Sequence, residues 1–187
     1  MAAHTRSEAK TDCVEVVRLS RAALPRRNIA EYAWFLLMHP ENLIGADQNE
    51  EGAAVLREAL AAAPWFTPAR GLLGIALAKQ GRYEAAEPEL RAAVAAGGPA
   101  APDDAVVLGQ VRQARGDRAG AERWWREALR LDPRSADAHY WLAGALAASG
   151  RRAEALQHLE AAAQAAPGRA EFARARDELA RVLQAAK

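Results

Sequence analysis

The stretch "GDRAGAERWWREALRLDPRSA" is followed by "GRRAEALQHLEAAAQAAPGRA", the same order of residue types written twice. Gly116 and Gly150 stand 34 residues apart, as do Leu108 and Leu142, Ala121 and Ala155, Ala128 and Ala162, and Pro133 and Pro167. A third copy lies upstream with Leu73, Gly74, Gly81, Ala86, Leu90 and Ala93, offset by 35 because "AAGGPAAPDD" carries one extra residue. A fixed period of this length, repeated in tandem, reads as a stack of small supersecondary units. The units read as helical. Hydrophobic residues make up 51% of the 187, but much of that is Ala, the best helix former, and aromatics are only 6%. No stretch shows the β-branched alternation of a half-buried strand, so the expected class is all-α.

Each copy carries its own punctuation. Gly81, Gly116 and Gly150 follow apolar helical runs and suit a left-handed turn after a helix end. Small residues at Gly74, Gly109 and Ala143 are expected to face Ala86, Ala121 and Ala155 where paired helices approach closely, with Leu90, Trp125 and Leu159 filling the space between successive pairs. Pro133 and Pro167 stop the second helix of a pair, and Ser135 caps the next. "TPAR" suggests the same device, with Thr67 at N-cap and Pro68 at the first helical position. Pro88 falls just inside a helix, near its first turn, and predicts no more than a local kink.

These residues resemble the tetratricopeptide repeat family, whose pattern runs W-x2-L-G-x2-Y, then A-x3-F, A and P. The middle copy matches at Leu108, Gly109, Ala121, Trp125, Ala128 and Pro133, and the last at Leu142, Ala143, Ala155, Leu159, Ala162 and Pro167. The first matches at Leu73, Gly74, Ala86, Leu90 and Ala93 and lacks the closing Pro. All three depart at the leading Trp (Arg70, Ala105, His139) and at the Tyr (Leu77, Arg112, Leu146). The resemblance implies a right-handed α-solenoid of antiparallel helix pairs, with repeats at 67–101, 102–135 and 136–169. Residues 11–66 are read as N-terminal helices, among them a degenerate unit in which Gly52, Leu56, Ala59 and Pro64 take the Ala, Phe, Ala and Pro places. Its first helix is placed in "RNIAEYAWFLLMH", preceded by an amphipathic helix from Cys13 to Leu24 and a disordered stretch over 1–10. Residues 170–187 read as a capping helix with Phe172, Ala175, Leu179, Val182 and Leu183 on one stripe.

In such arrays the first helix of each pair lines a concave groove. By the resemblance, Leu72, Ile75, Val106, Val107, Gln110, Tyr140, Trp141 and Gly144 line it here, a mostly apolar surface suited to a segment of another protein. The family's Lys/Asn/Arg clamp on a chaperone carboxylate tail is not expected, because Gly71, Ile75, Val107, Asp137 and Trp141 stand in those places.

Other chemistries find little support. The formal charge of +1 sets up no global field toward nucleic acid or an anionic membrane. The middle repeat is Arg-rich (Arg112, Arg115, Arg118, Arg123, Arg126, Arg130, Arg134), but interleaved acids predict i,i+4 pairs Glu122–Arg126 and Arg123–Glu127 on a solvated face. Cys13 stands alone, no Cys/His cluster has zinc spacing, and no phosphate loop, nucleophile elbow or paired-acid motif occurs. His139 and His158 fall within one helix pair and can approach each other, without a third ligand at sensible spacing. "MAAHTRSEAK" lacks a signal-peptide core, and "IAEYAWFLLM" contains a Glu and is too short to span a bilayer. The expectation is a cytoplasmic, non-catalytic adaptor without cofactor or metal, holding a protein partner in an apolar groove, with self-association left open. The alternatives are a chaperone-like holder for a secreted or pilus component, a nucleic-acid-associated regulator using the Arg-rich repeat, and an enzyme with a hidden site.

Overall fold

Three Schellman turns organise the chain. In each, a glycine with φ of 73° (Gly81), 83° (Gly116) or 82° (Gly150) follows the cap residue of a helix (Gln80, Arg115 or Ser149). Its N–H and that of the next residue return to the helix end: Gly116 to the Gln113 carbonyl at 2.9 Å and Asp117 to the Arg112 carbonyl at 2.9 Å. The same pair of bonds recurs at Gly81–Arg82 and Gly150–Arg151. These are the left-handed C′ turns the glycines predicted, and each reverses the chain within a few residues.

The computed structural model describes residues 48–62 and 64–185. The expectations for 1–10, for the helix from Cys13 and for the "AEYAWFLLM" segment lie outside the described residues. Within them the chain forms α1 (Gln48–Ala62), α2 (Thr67–Lys79), α3 (Tyr83–Ala96), α4 (Ala101–Ala114), α5 (Arg118–Leu131), α6 (Ala136–Ala148), α7 (Arg152–Ala165) and α8 (Ala170–Ala185), with no strand among them. Helices pack in sequence order as the pairs α2/α3, α4/α5 and α6/α7. The first helices α2, α4 and α6 also meet one another directly, whereas α3 and α5 make no comparable contact. The array therefore closes along its first helices and opens along its second ones.

The core runs along the stack in two clusters. One joins Leu56, Leu73, Leu77, Leu90, Leu108 and Val111, and the other joins Trp125, Leu142, Leu146 and Leu159. The glycines of the first helices do a different job from the one expected. A Cβ at Gly74 would meet Leu90 Cγ at 2.5 Å, and one at Gly109 would meet Trp125 Cδ1 at 2.6 Å. The missing side chains make room for the bulky residue of the second helix, not for Ala86 or Ala121, although both alanines are fully buried. Trp125 is fully buried in that gap, and its indole N–H donates to the Val106 carbonyl at 3.2 Å.

Capping differs from one helix to the next. The Asp117 carboxylate accepts from the Gly120 N–H at 2.8 Å, and the Ser135 hydroxyl accepts from the Ala138 N–H at 3.4 Å. Thr67 does not cap: α2 begins at Thr67 itself, and its hydroxyl donates back to the Trp65 carbonyl at 3.4 Å. Helix α3 runs through Pro88 unbroken. On α8, Phe172 is fully buried and Ala175, Leu179 and Leu183 are half-buried, but Val182 is 44% exposed. Nothing described packs on α8 from the far side, so its apolar stripe is covered only in part.

Candidate functional site

A hollow of about 430 Å³ opens where α2 and α4 meet, closed at its edges by Trp141 of α6 and Tyr83 at the start of α3. Its apolar wall is Ile75, Ala78, Val107, Val111 and Ala114, and Gln110, Gln113 and Lys79 supply the polar groups. Four of the eight residues expected in the groove therefore converge: Ile75, Val107, Gln110 and Trp141. All four are half-buried.

The other four stand elsewhere. Val106 is only 4% exposed, and its carbonyl is taken by Trp125, so its side chain belongs to the core and not to an open lining. Leu72 packs against the first-repeat core. Tyr140 turns away from the hollow toward α8, with its ring 4.9 Å from that of Phe172. Gly144 is exposed but lies beyond the hollow. Successive residues on a helix point about 100° apart, which is why Tyr140 and Trp141 part company. Trp141 stacks on Trp125, with centroids 6.1 Å apart and planes inclined by 20°. A buried indole thus braces a half-exposed one at the edge of the hollow.

Six residues of the lining lie outside the expected set: Ala78, Lys79, Tyr83, Val111, Gln113 and Ala114. The repeat register held a signal for two of them. Tyr83 takes the place of Arg118 and Arg152 in the later copies, and Lys79 that of Ala114 and Ala148. A residue that breaks its own repeat is a pointer to a site.

The seam between α2 and α4 is electrically polarised. At its far end the Asp104 carboxylate lies over Gly71, so close that a Cβ there would stand 2.6 Å from Oδ1. Asp104 is 4% exposed, and burial, with Asp103 next to it, raises its carboxyl from 3.8 to about 7. Asp103 is raised too, by burial first and then by Asp137 and Asp132. Asp137 itself is held by Arg169 at 2.6 Å. Lys79 sits two turns of α2 beyond Gly71, so the seam runs from a buried carboxyl to an exposed lysine.

The two histidines do meet. Their Nδ1 atoms are 2.8 Å apart, and His139 Nε2 lies 3.1 Å from the Pro133 carbonyl oxygen. A carbonyl only accepts, so His139 carries its proton on Nε2, and in the neutral pair its Nδ1 accepts from His158 Nδ1–H. Burial, followed by the neighbouring His139, lowers the His158 pKa. Among the described residues no group of three or more His, Cys, Asp or Glu stands where it could hold a metal ion, and no helix is long and apolar enough to cross a membrane.

Two family models, each described as Tetratricopeptide repeat, match residues 43–107 and 106–170. No curated protein matches the chain by sequence. Among solved structures, that of MamA superposes with a TM-score of 0.66 at 17% identity, over 91% of this chain and 99% of that one. YrrB, described as a TPR protein with an unusual peptide-binding site, superposes with a TM-score of 0.61 at 20% identity, over 95% and 84% of the two chains. MamA AMB-1 reaches 0.53 at 25% identity over 66% and 72%. These likenesses establish the solenoid architecture.

Proposed function

Because the chain belongs to the tetratricopeptide repeat family, a family of protein-interaction modules, we propose that it is a non-catalytic adaptor that holds a partner's segment along the α2/α4 seam. In this reading the units at 67–101, 102–135 and 136–169 build the groove, α1 adjoins one end, and α8 caps the other. The observation that carries the reading is Trp141: a large aromatic, half-exposed at a hollow walled by Ile75 and Val107, and held in place by its stack on Trp125. A rigid aromatic anchor beside an apolar pocket is what interface hot spots are made of. Lys79 and the two glutamines of the lining favour a segment with an acidic or carboxamide end.

The test is affinity capture with the native chain and with Val107→Glu, which places a charge on a half-exposed wall position. A partner that binds the native chain and is lost with Val107→Glu, while the melting temperatures of the two agree, supports the groove. Retention of every partner by that variant counts against it.

A further inference from the structure

On the side away from the groove, α3 and α5 leave a furrow of about 700 Å³ between them. One stripe of α5 faces it, running Gly120, Arg123, Trp124, Glu127, Arg130 and Leu131 at helical spacing. Arg91 and Val94 face it from α3, and Arg112 rises into it from α4. The floor is apolar. Trp124, half-buried, packs against both core clusters at once, and Val94 and Leu131 flank it.

The rim is cationic in excess of its partners. Four arginines (91, 112, 123 and 130) line the furrow against one carboxylate, Glu127. Glu127 is taken bidentately by Arg130 at 2.7 and 2.8 Å, so the expected Arg123–Glu127 pair does not form. Arg123 makes no ion pair among the described residues. Just outside, Glu87 serves Arg112, Arg115 at 2.5 Å and Arg91 at 3.7 Å, and Asp117 takes Arg112 at 3.0 Å and lies within the field of Arg123. Arg112 Nε is buried with no acceptor in reach. Each guanidinium offers five donors, and one or two shared carboxylates leave most of them unspent.

We propose that this furrow is a second docking site, which takes an acidic peptide segment of a partner protein with a large apolar side chain between its carboxylates. The carboxylates meet Arg123 and the free edges of Arg91 and Arg130, and the apolar side chain lies on Trp124 between Val94 and Leu131. A volume of this size suits a short segment and lies within the ordinary range of ligand pockets. Charge complementarity chooses carboxylates. The apolar floor and the near-zero net charge of the chain choose a peptide over a nucleic acid, whose affinity grows with the number of phosphates neutralised along an extended basic track.

The test is selection of a displayed library of random short peptides on the full chain, followed by anisotropy titration of the best binder. Acidic residues flanking an aromatic or aliphatic one are expected among the selected sequences. Arg123→Glu, at an exposed position free of ion pairs, should weaken that binder by about tenfold or more without moving the melting temperature. Val107→Glu, on the groove side, should leave its affinity unchanged. Selected peptides without acidic residues, binding that survives Arg123→Glu, binding lost with Val107→Glu, or displacement of the peptide by a uridine oligonucleotide at equal concentration would each overturn the proposal.

Discussion

A single methyl group separates Gly109 from failure. Placed there, it would sit 2.6 Å from Trp125 Cδ1, and the indole is locked by its bond to Val106 and its stack on Trp141. Gly109→Ala is expected to destabilise by about 1–3 kcal/mol in a denaturant titration, and to cost less in a Trp125→Leu background, where the obstacle is smaller. Two titratable residues act in opposition at the same scale. Between pH 3.8 and about 7 the folded chain keeps a proton on Asp104 that the unfolded chain has released, so this residue makes stability fall as pH rises through that window. His158 does the reverse. Its folded pKa lies below the ordinary 6.5, so protons bind the unfolded state first and stability falls as pH drops below 6.5. Asp104→Asn should therefore raise stability near pH 8 by on the order of 1–3 kcal/mol and lay bare the acid-side loss due to His158. Urea melts of both proteins at acid and mildly alkaline pH read the difference. An Asp104→Asn chain no more stable than the native one above neutrality would mean that the carboxylate is solvated.

Helices and turns were the most legible level. Glycine after an apolar run has one cheap use, the left-handed turn, and three copies at one period repeat it; this fixed α2 through α7 from residues alone. Caps were harder to read, because a hydroxyl next to a helix start has two ways to bond. Asp117 and Ser135 turn inward to the helix, while Thr67 turns back to Trp65. Asp117→Ala is expected to cost about 1 kcal/mol and Thr67→Ala less than about 0.5 kcal/mol, by thermal melts of the two variants. The site was half legible. Helix α6 is apolar nearly all round, so its sequence does not say which side faces a groove and which a neighbour. Tyr140 went to Phe172, a contact with another helix that no local pattern announces. Lys79 and Tyr83 lay hidden because they break the repeat that made everything else readable.

At the scale of the whole molecule, the substantial contacts among the described helices run between near neighbours in the stack. Stability in such an array is nearly a sum of local terms. Phe172→Ala removes the one fully buried side chain of α8 and should free that helix and its neighbours first. Amide exchange should then rise in α6, α7 and α8 while α2 and α3 keep their protection; uniform loss along the chain would mean that the array unfolds as one unit. The α2/α4 hollow and the α3/α5 furrow share no lining residue, so the two proposed segments would not compete for the same side chains. The hollow also leaves the chain with an optical gauge of its own. Trp141 stacks nearly parallel on an indole that no solvent reaches, so the two chromophores couple and their near-ultraviolet signal depends in part on that spacing. A segment bound to Trp141 as proposed is expected to alter its surroundings and its angle to Trp125, and a shift in the emission of the unlabelled protein would report it.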